Sequence, residues 1–505
     1  MRMSVTLSDV VVIGGGGAGL AAAYEAAKLG RHVVVLEKNP QTGGSTSWSV
    51  GSVTAADTPH QRAAGIQDHA DAHFEDLGLH AGQLAPRDNL KLRRILVDHS
   101  REALQWLMDL GVVFVGPEED PPHRVPRMHN VVPNSKSFAY HLTRHCKALG
   151  VEIVVGTKSD SFVVENGRVV GVDAVRPDGS RARFLARRGV VLASGDYSGA
   201  GDLKRSLASE SVVPVDPVNP TATGDGHRMA LAIGARVVNG DIVRGPIMRF
   251  IPPSRRNFVQ RLPPTRFVAR MIAWSMKHLP QSMLRPFLMS FLTTALGPSP
   301  DLLRHGGILV NKLGRRFTNE LGKPAADVAL QPEKLAWILM DGEVAGKFEQ
   351  WPYFVSTAPG VAYAYLKDYQ RNRPDIFHRA DTLEGLAESM GVPAPELRRT
   401  IDAYNDSAER GDRPALGQGP YCALGPVKSY VVFTDGGLAV NEQLEVLGPD
   451  DRPIPGLHAA GSAGQGGLLL EGHGHHLGWA FVSGRIAGRH AAESPISTSN
   501  LHPSE

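Results

Sequence analysis

The chain runs to 505 residues, 42% hydrophobic and 21% charged, enough to build two cores and too long for a single small binding module. A net charge of +3, with no basic run and no aromatic-interleaved stripe, excludes nucleic acid as a partner. Cys146 and Cys422 stand far apart and outside any CxxC pair, which excludes a disulfide scaffold or a cysteine-ligated cluster and fits a reducing compartment.

The opening MRMSVTLSD has no apolar core, so no secretory signal is expected and a cytoplasmic location is. From Val10 the run VVVIGGGGAG, an alanine-rich stretch to Gly30 and HVVVLE to Glu37 predict a strand, a glycine turn, a helix and a second strand closed by an acid. Gly14 lets the chain turn out of the strand, Gly16 brings backbone within reach of a pyrophosphate, and Gly19 lets the helix pack on the sheet. N–H groups at the helix start, Gly17 and Ala18, then hold an anion. Glu37, eighteen residues beyond Gly19, accepts hydrogen bonds from an adenosine ribose and disfavours the extra phosphate of NADP. Lys38 and the loop of Gly43, Gly44, Ser45 and Thr46, with Gly51 behind it, bring backbone and hydroxyls to another part of the same ligand. A nicotinamide site rarely needs that second loop, so a flavin is expected.

Further along, a loop from Pro121 to Ser135 precedes a helix over Phe138–Leu149 and the strand GVEIVVG. GVVLASGDYSG (Gly189–Gly199) is a strand and turn that carries Ser194 and Gly195, and TATGDG (Thr221–Gly226) carries Thr223, Gly224 and Asp225. The segment Arg266–Leu296 is rich in Met, Phe, Leu and Trp, is broken by Pro280 and Pro286 and is fringed by Arg266, Arg270, Lys277 and Arg285. It is too interrupted to span a bilayer. Packing within its own domain, contact with a membrane surface and roofing of an apolar channel are the three readings open to it. Thr382–Gly411 reads as two amphipathic helices separated by Gly391–Pro395, with Leu383, Leu386 and Met390 on the first buried face. IPGLHAAG and GRIAGRHAA (Ile454–Ala492) bring back Gly461, and EGHGHH between them brings His476 and Leu477. The polar tail after Ala492 is expected to be loosely ordered.

These motifs, with GGILVNKLGRRFTNE (Gly306–Glu320), resemble in order those of the FAD-binding superfamily of succinate dehydrogenase and fumarate reductase flavoproteins, which also holds urocanate reductase, tricarballylate dehydrogenase and the ketosteroid dehydrogenases. The resemblance runs from Val10 to Ala492. It implies an α/β fold: a Rossmann-like, glutathione-reductase-type FAD domain over 1–249 and 421–505, with an α+β cap inserted over 250–420. The FAD is expected to be non-covalent, because Ser45, Thr46, Ser47 and Trp48 after Gly44 lack the histidine through which covalent members attach it.

The fumarate-type members grip carboxylates and protonate their substrate with arginines and histidines. At the corresponding positions this chain has Ile251, Pro324, Phe433 and Glu471. A dicarboxylate there would keep its charges unpaired in a desolvated pocket, so neither fumarate nor succinate is expected as substrate. The tyrosine that follows RF-NE in the ketosteroid dehydrogenases is also missing from LGKPAADVAL. In place of the lost groups, His473 first and His475 second are the expected acid or base, with Glu471 orienting one of them. Backbone capping by these imidazoles and a metal site in HGHH are the alternatives, and no metal is expected. Arg127 and His129 are expected beside the substrate, Arg127 on a carboxylate or enolate oxygen and His129 donating to it. Arg244 and Arg249 serve either as anion clamps or as a hinge salt bridge, and Lys323, Tyr353, Tyr363 and Tyr365 are further proton donors or packing residues.

The resulting expectation is an FAD-dependent oxidoreductase acting on a CH–CH or C=C bond of a largely apolar, carbonyl-activated small molecule, with electrons exchanged through a separate donor or acceptor. A ketosteroid- or dicarboxylate-type enzyme with a rearranged site, an amine or hydroxy-acid oxidase, and a catalytically silent FAD-bound partner protein are the alternatives.

Overall fold

The computed structural model describes residues 3–253, 261–358, 362–417 and 419–497, so the last eight residues of the expected loose tail lie outside the described part. Val10, Val11 and Val12 are wholly buried, which is why the first strand reads as an unbroken apolar run. That strand, Ser4–Ile13, pairs in parallel with Val33–Glu37 on one side and Arg181–Leu192 on the other. Glu152–Val155 and Pro453–Ala459 extend the sheet in parallel beyond these two, and Glu445–Leu447 closes one edge. The hairpin Lys158–Glu165 and Arg168–Val175 folds back antiparallel onto Arg181–Leu192.

The helix Gly17–Lys28 follows the glycine turn, and its alanines leave its backbone open to close approach. The chain's last described helix, His475–Glu493, packs there. A Cβ on Gly484 would lie 2.3 Å from the Ala18 carbonyl oxygen, and one on Gly488 would lie 2.2 Å from that of Ala22. Two glycines one helical turn apart therefore allow the C-terminal helix to lie directly on the N-terminal one.

A second sheet is centred on Tyr421–Val431. Ala336–Asp341, Phe377–Ala380 and Ile247–Phe250 pair antiparallel to it, Asp216–Pro217 pairs parallel, and Ile308–Asn311 adds beyond Ala336–Asp341. Alternation along Ile308–Asn311 sends Leu309 to one core with Ile338, Met340 and Leu424, and Ile308 and Val310 to the other with Leu339 and Ala423. The second core takes the helices Leu383–Met390 and Ala394–Asp406, whose Leu383, Leu386 and Met390 are buried as their spacing requires. Gly391 ends the first of these at φ +69°. The expected domain joints at 249/250 and 420/421 both fall in this second sheet, in adjacent strands with Arg249 opposite Lys428.

The segment Arg266–Leu296 divides in two. Gln281–Ala295 packs Met289, Leu292 and Thr293 into the fold, whereas Arg266–His278 buries only Ala269 among its residues. Packing accounts for the second helix and leaves the outer face of the first without a partner.

Candidate functional site

A cleft opens at the C-terminal ends of the first two strands, where an open parallel sheet places its ligand. Gly14, Gly16, Gly17, Ala18, Glu37, Lys38, Gly44, Ser45, Thr46, Ser194, Gly195, Asp225 and Gly461 line it, as expected of cofactor-binding positions. A Cβ on Gly16 would meet nothing nearer than the Gly43 carbonyl oxygen at 4.0 Å, so the backbone there borders open space. The helix that starts at Gly17 has no side-chain cap, and the positive end of its dipole faces the cleft. Glu37 Oε2 accepts from the Gly15 N–H at 2.8 Å, and Oε1 accepts from the Asn39 N–H and Nδ2, each at 2.8 Å. A carboxylate has about four acceptor positions, so lone pairs remain for ribose hydroxyls. These groups fit a dinucleotide: an anion-binding helix start, a ribose acceptor and a small-residue loop in one cleft.

Seven expected positions lie outside the lining. Gly19 packs instead, since a Cβ there would meet the Gly14 carbonyl oxygen at 1.8 Å. Gly43 ties the second loop to the first through its N–H on the Gly15 carbonyl at 2.8 Å. Gly51 abuts Val131, Gly224 abuts Leu203 and Tyr197, and Leu477 lies in the main core. Thr223 acts through Lys38, whose ammonium donates to it at 2.5 Å and pairs with Asp225 at 2.7 Å. Burial opposes the Asp225 charge, but Lys38, Thr223 and Lys158 hold its carboxyl at about 2. His476, the seventh, packs on Phe433. Thr157, Lys158, Ser159 and Asn219 line the cleft without having been expected. They follow strand ends or precede TATGDG, and only the position of those ends relative to the glycine turn could have marked them.

Outside the lining, His476 lies one helical turn before Ala480, which lines the cleft, and so on the same helix face. Its ring packs on Phe433 with centroids 3.8 Å apart. Nε2 lies 3.6 Å from Asp435 and has no hydrogen-bond partner among the described residues. Burial pushes the imidazole down to about 4, with Asp435 only partly offsetting it. Arg244 donates from Nε to Asp435 at 2.6 Å and pairs through Nη1 with Glu471. Two of the four positions that differ from the fumarate-type pattern, Phe433 and Glu471, thus meet at one spot, where a single guanidinium lies between two carboxylates. Of the other two, Ile251 fringes the core of Leu309, Ile338 and Met340, and Pro324 opens the short helix Pro324–Val328, with Lys323 exposed before it. Tyr353 packs on His305, Tyr363 on Trp351 and Phe354, and Tyr365 caps a helix. The Arg249 guanidinium is pushed down by burial.

The two histidines expected to handle protons point elsewhere. His473 is exposed and bonded to Asp120, Nδ1 to Oδ1 at 2.8 Å, which raises its pKa against the opposing effect of burial. His475 is wholly buried, donating from Nδ1 to the Glu471 carbonyl at 2.5 Å, with Nε2 3.2 Å from His73 Nε2. The His80 and His123 rings lie 5.7 and 5.2 Å from it. Burial and neighbouring imidazoles hold His73 and His475 well below the usual histidine range. Ligand atoms of His73, His123 and His475 lie within 4.8 Å of one another, as do those of His80, Asp120 and His123, so the fold brings metal-ligating types from distant parts of the chain to His475 of HGHH. Arg127, however, already supplies a cation there and donates to His123 Nδ1 at 2.9 Å, turning that lone pair toward itself.

Arg127 itself is wholly buried, with Asp68 bound to Nε and Nη2 at 2.7 Å each and Asp76 to Nη1 at 2.5 Å. This corrects the expectation of a substrate clamp: its fork is filled by two aspartates. His129 is likewise buried, 2.9 Å from the Thr58 hydroxyl, with its pKa pushed down to about 4 by burial and by His60. It therefore packs rather than facing a substrate.

A family model described as an FAD binding domain matches residues 9–251 and 273–469. The probable fumarate reductase Ifc3 of Shewanella frigidimarina is 27% identical over 509 residues, 97% of this chain and 75% of its own. The vinyl phenol reductase of Lactiplantibacillus plantarum is 28% identical over 520 residues, 96% of each chain. Among solved structures, the open conformation of a flavocytochrome c3 fumarate reductase superposes with a TM-score of 0.71 at 26% identity, covering 96% of this chain and 78% of that one.

Proposed function

The chain belongs to this FAD-binding family, and from that premise we propose that it is an oxidoreductase acting on a CH–CH or C=C bond of a largely apolar, carbonyl-activated small molecule. Bound without a covalent link along the cleft, FAD supplies hydride exchange at its N5. The loop Gly44–Trp48 offers glycine, serines, threonine and tryptophan there, with no histidine for attachment. The electrons enter or leave through a separate carrier.

The observation that carries the substrate class is the group around Arg244 and His476. Arg244 between Asp435 and Glu471 leaves one net negative charge, and Phe433 presents an apolar face. A dicarboxylate brought there meets like charge in a half-buried site, which costs more than the contacts return. An apolar enone or styrene-like molecule meets the phenyl ring instead. The vinyl phenol reductase is named for a substrate with neither a carboxylate nor a carbonyl, which supports the apolar part of this reading.

Within that group we assign proton exchange to His476 rather than to His473 or His475. Its Nε2 is unpartnered and neutral at pH 7, so it can take a proton from a substrate carbon or carry one back. Arg244 pairs through Nη2 with Asp435 at 2.5 Å and through Nη1 with Glu471, and we assign its remaining N–H groups to the activating oxygen. Asp435 holds Arg244 and faces His476, keeping the two in register.

Anaerobic photoreduction of the FAD-loaded protein followed by rapid mixing tests this reading. Enones and vinyl phenols should reoxidise the flavin at least about a hundredfold faster than fumarate does. Faster reoxidation by fumarate would overturn the substrate class. A flavin that no acceptor reoxidises would overturn the activity.

A further inference from the structure

We propose that the helix Arg266–His278 docks this protein on the surface of an anionic lipid bilayer. Its surface is unlike the cleft: an exposed apolar ridge lies beside a basic one.

Phe267, Met271 and Trp274 recur at i, i+4 and i+7, which sets them in one line along the helix. They are 72%, 57% and 59% exposed. Three large apolar side chains in one row, all in water, are not the scattered surface residues of an ordinary helix. Trp274 lies stacked on His278, with ring centroids 5.0 Å apart, and an indole with an apolar body and one N–H donor is suited to the boundary between acyl chains and headgroups.

Beside this ridge run Arg266, Arg270 and Lys277, all exposed. Neither Arg270 nor Lys277 has an ion-pair partner among the described residues. The sequence around them is one-sided: between Asp241 and Asp301 it carries nine arginines and lysines and no acidic residue, against a net charge of only +3 for the whole chain. An amphipathic helix with aromatic and Met side chains on one line and cations next to it lies in the plane of a membrane, apolar side in the acyl boundary and cations at anionic headgroups. At 13 residues it lies on the surface and does not cross, and no described helix is long and apolar enough to span.

A second copy of this chain is the other occupant to weigh. A twofold contact would set this face against itself and bring Arg270 and Lys277 up to their like-charged copies. A bilayer containing anionic lipid satisfies both ridges at once.

The test is sedimentation of the FAD-loaded protein with vesicles of phosphatidylcholine alone and of phosphatidylcholine mixed with phosphatidylglycerol. Binding is expected only to the mixed vesicles and should weaken as salt is raised. The triple variant Phe267→Ser, Met271→Ser, Trp274→Ser should lose about a hundredfold in affinity, and Arg270→Glu with Lys277→Glu about thirtyfold. Both variants change exposed side chains, so flavin absorbance and melting temperature should stay as in the parent. The proposal is overturned if the parent protein fails to pellet with mixed vesicles, if it binds both compositions equally, or if the triple variant binds as the parent does. Concentration-dependent dimers that the triple variant abolishes, without vesicle binding, would assign the face to a second copy and overturn it as well.

Discussion

Replacing Glu37 by Gln tests where the adenosine end of the cofactor lies. The carboxylate accepts three hydrogen bonds, one at Oε2 from the Gly15 N–H and two at Oε1 from Asn39, each at 2.8 Å. An amide has a single oxygen, and facing it toward the two Asn39 donors turns its NH₂ against the Gly15 N–H. The apoprotein then loses one bond to a charged acceptor, and with it the lone pairs that would receive a ribose hydroxyl. A hydrogen bond to a charged group contributes about 1.5–3 kcal/mol, so losing the ribose contact should weaken FAD binding by about 10- to 150-fold. Titration of the apoprotein with FAD, followed by quenching of flavin fluorescence, reads this directly. FMN, which lacks the adenosine half, supplies the internal control: its affinity should change by less than about twofold. Unchanged FAD affinity, or an equal loss for FMN, would refute the placement of Glu37 at the ribose.

Three further outcomes follow from the same geometry. Gly484→Ala puts a Cβ 2.3 Å from the Ala18 carbonyl oxygen, backbone that cannot swing aside, and should lower stability by about 1–3 kcal/mol in thermal or denaturant unfolding; an unchanged melting point would mean that the two helices do not touch there. Glu471→Gln removes one of the two carboxylates on Arg244 and takes the local charge from −1 to 0, so fumarate should bind about tenfold tighter as a competitor of the preferred substrate, and no change would show that this group does not border the substrate. Burial pushes His227 and His458 down to about 4, whereas the unfolded chain takes these protons near about 6.5, so between those values the unfolded state binds more protons. The stability that their neutral rings contribute is complete above about pH 6.5 and is lost as pH falls toward 4, at about 1.4 kcal/mol per pH unit for each residue. Denaturant unfolding of His458→Gln across that window should show an acid limb shallower by that amount, and an equal slope would mean that His458 is accessible to protons in the fold.

How far the sequence reaches is decided by the range of the interaction that fixes each part. The nucleotide cleft was legible because its determinants are local: strand, glycine turn, helix and Glu37 occupy one continuous stretch, and steric facts such as the 1.8 Å approach at Gly19 demand glycine wherever that turn occurs. The two helices after Thr382 were legible for the same reason, since period and capping residue lie within a few positions of each other. Long-range partners were not legible. Arg127 and His129 look like a substrate-facing pair in RMHN, but Asp68 and Asp76, dozens of residues upstream, fill the arginine, and Thr58 takes the histidine. In EGHGHH the spacing is uninformative because a left-handed Gly474 and the start of a helix at His475 send consecutive histidines in three directions: His473 out to Asp120, His475 in to His73, and His476 to Phe433 and Asp435. The resemblance marked Phe433 and Glu471 only as losses. Placed in space, they lie beside Arg244, and a position that reads as a missing cation in the chain becomes one of two carboxylates on that guanidinium, the arrangement from which we propose that the site disfavours a dicarboxylate.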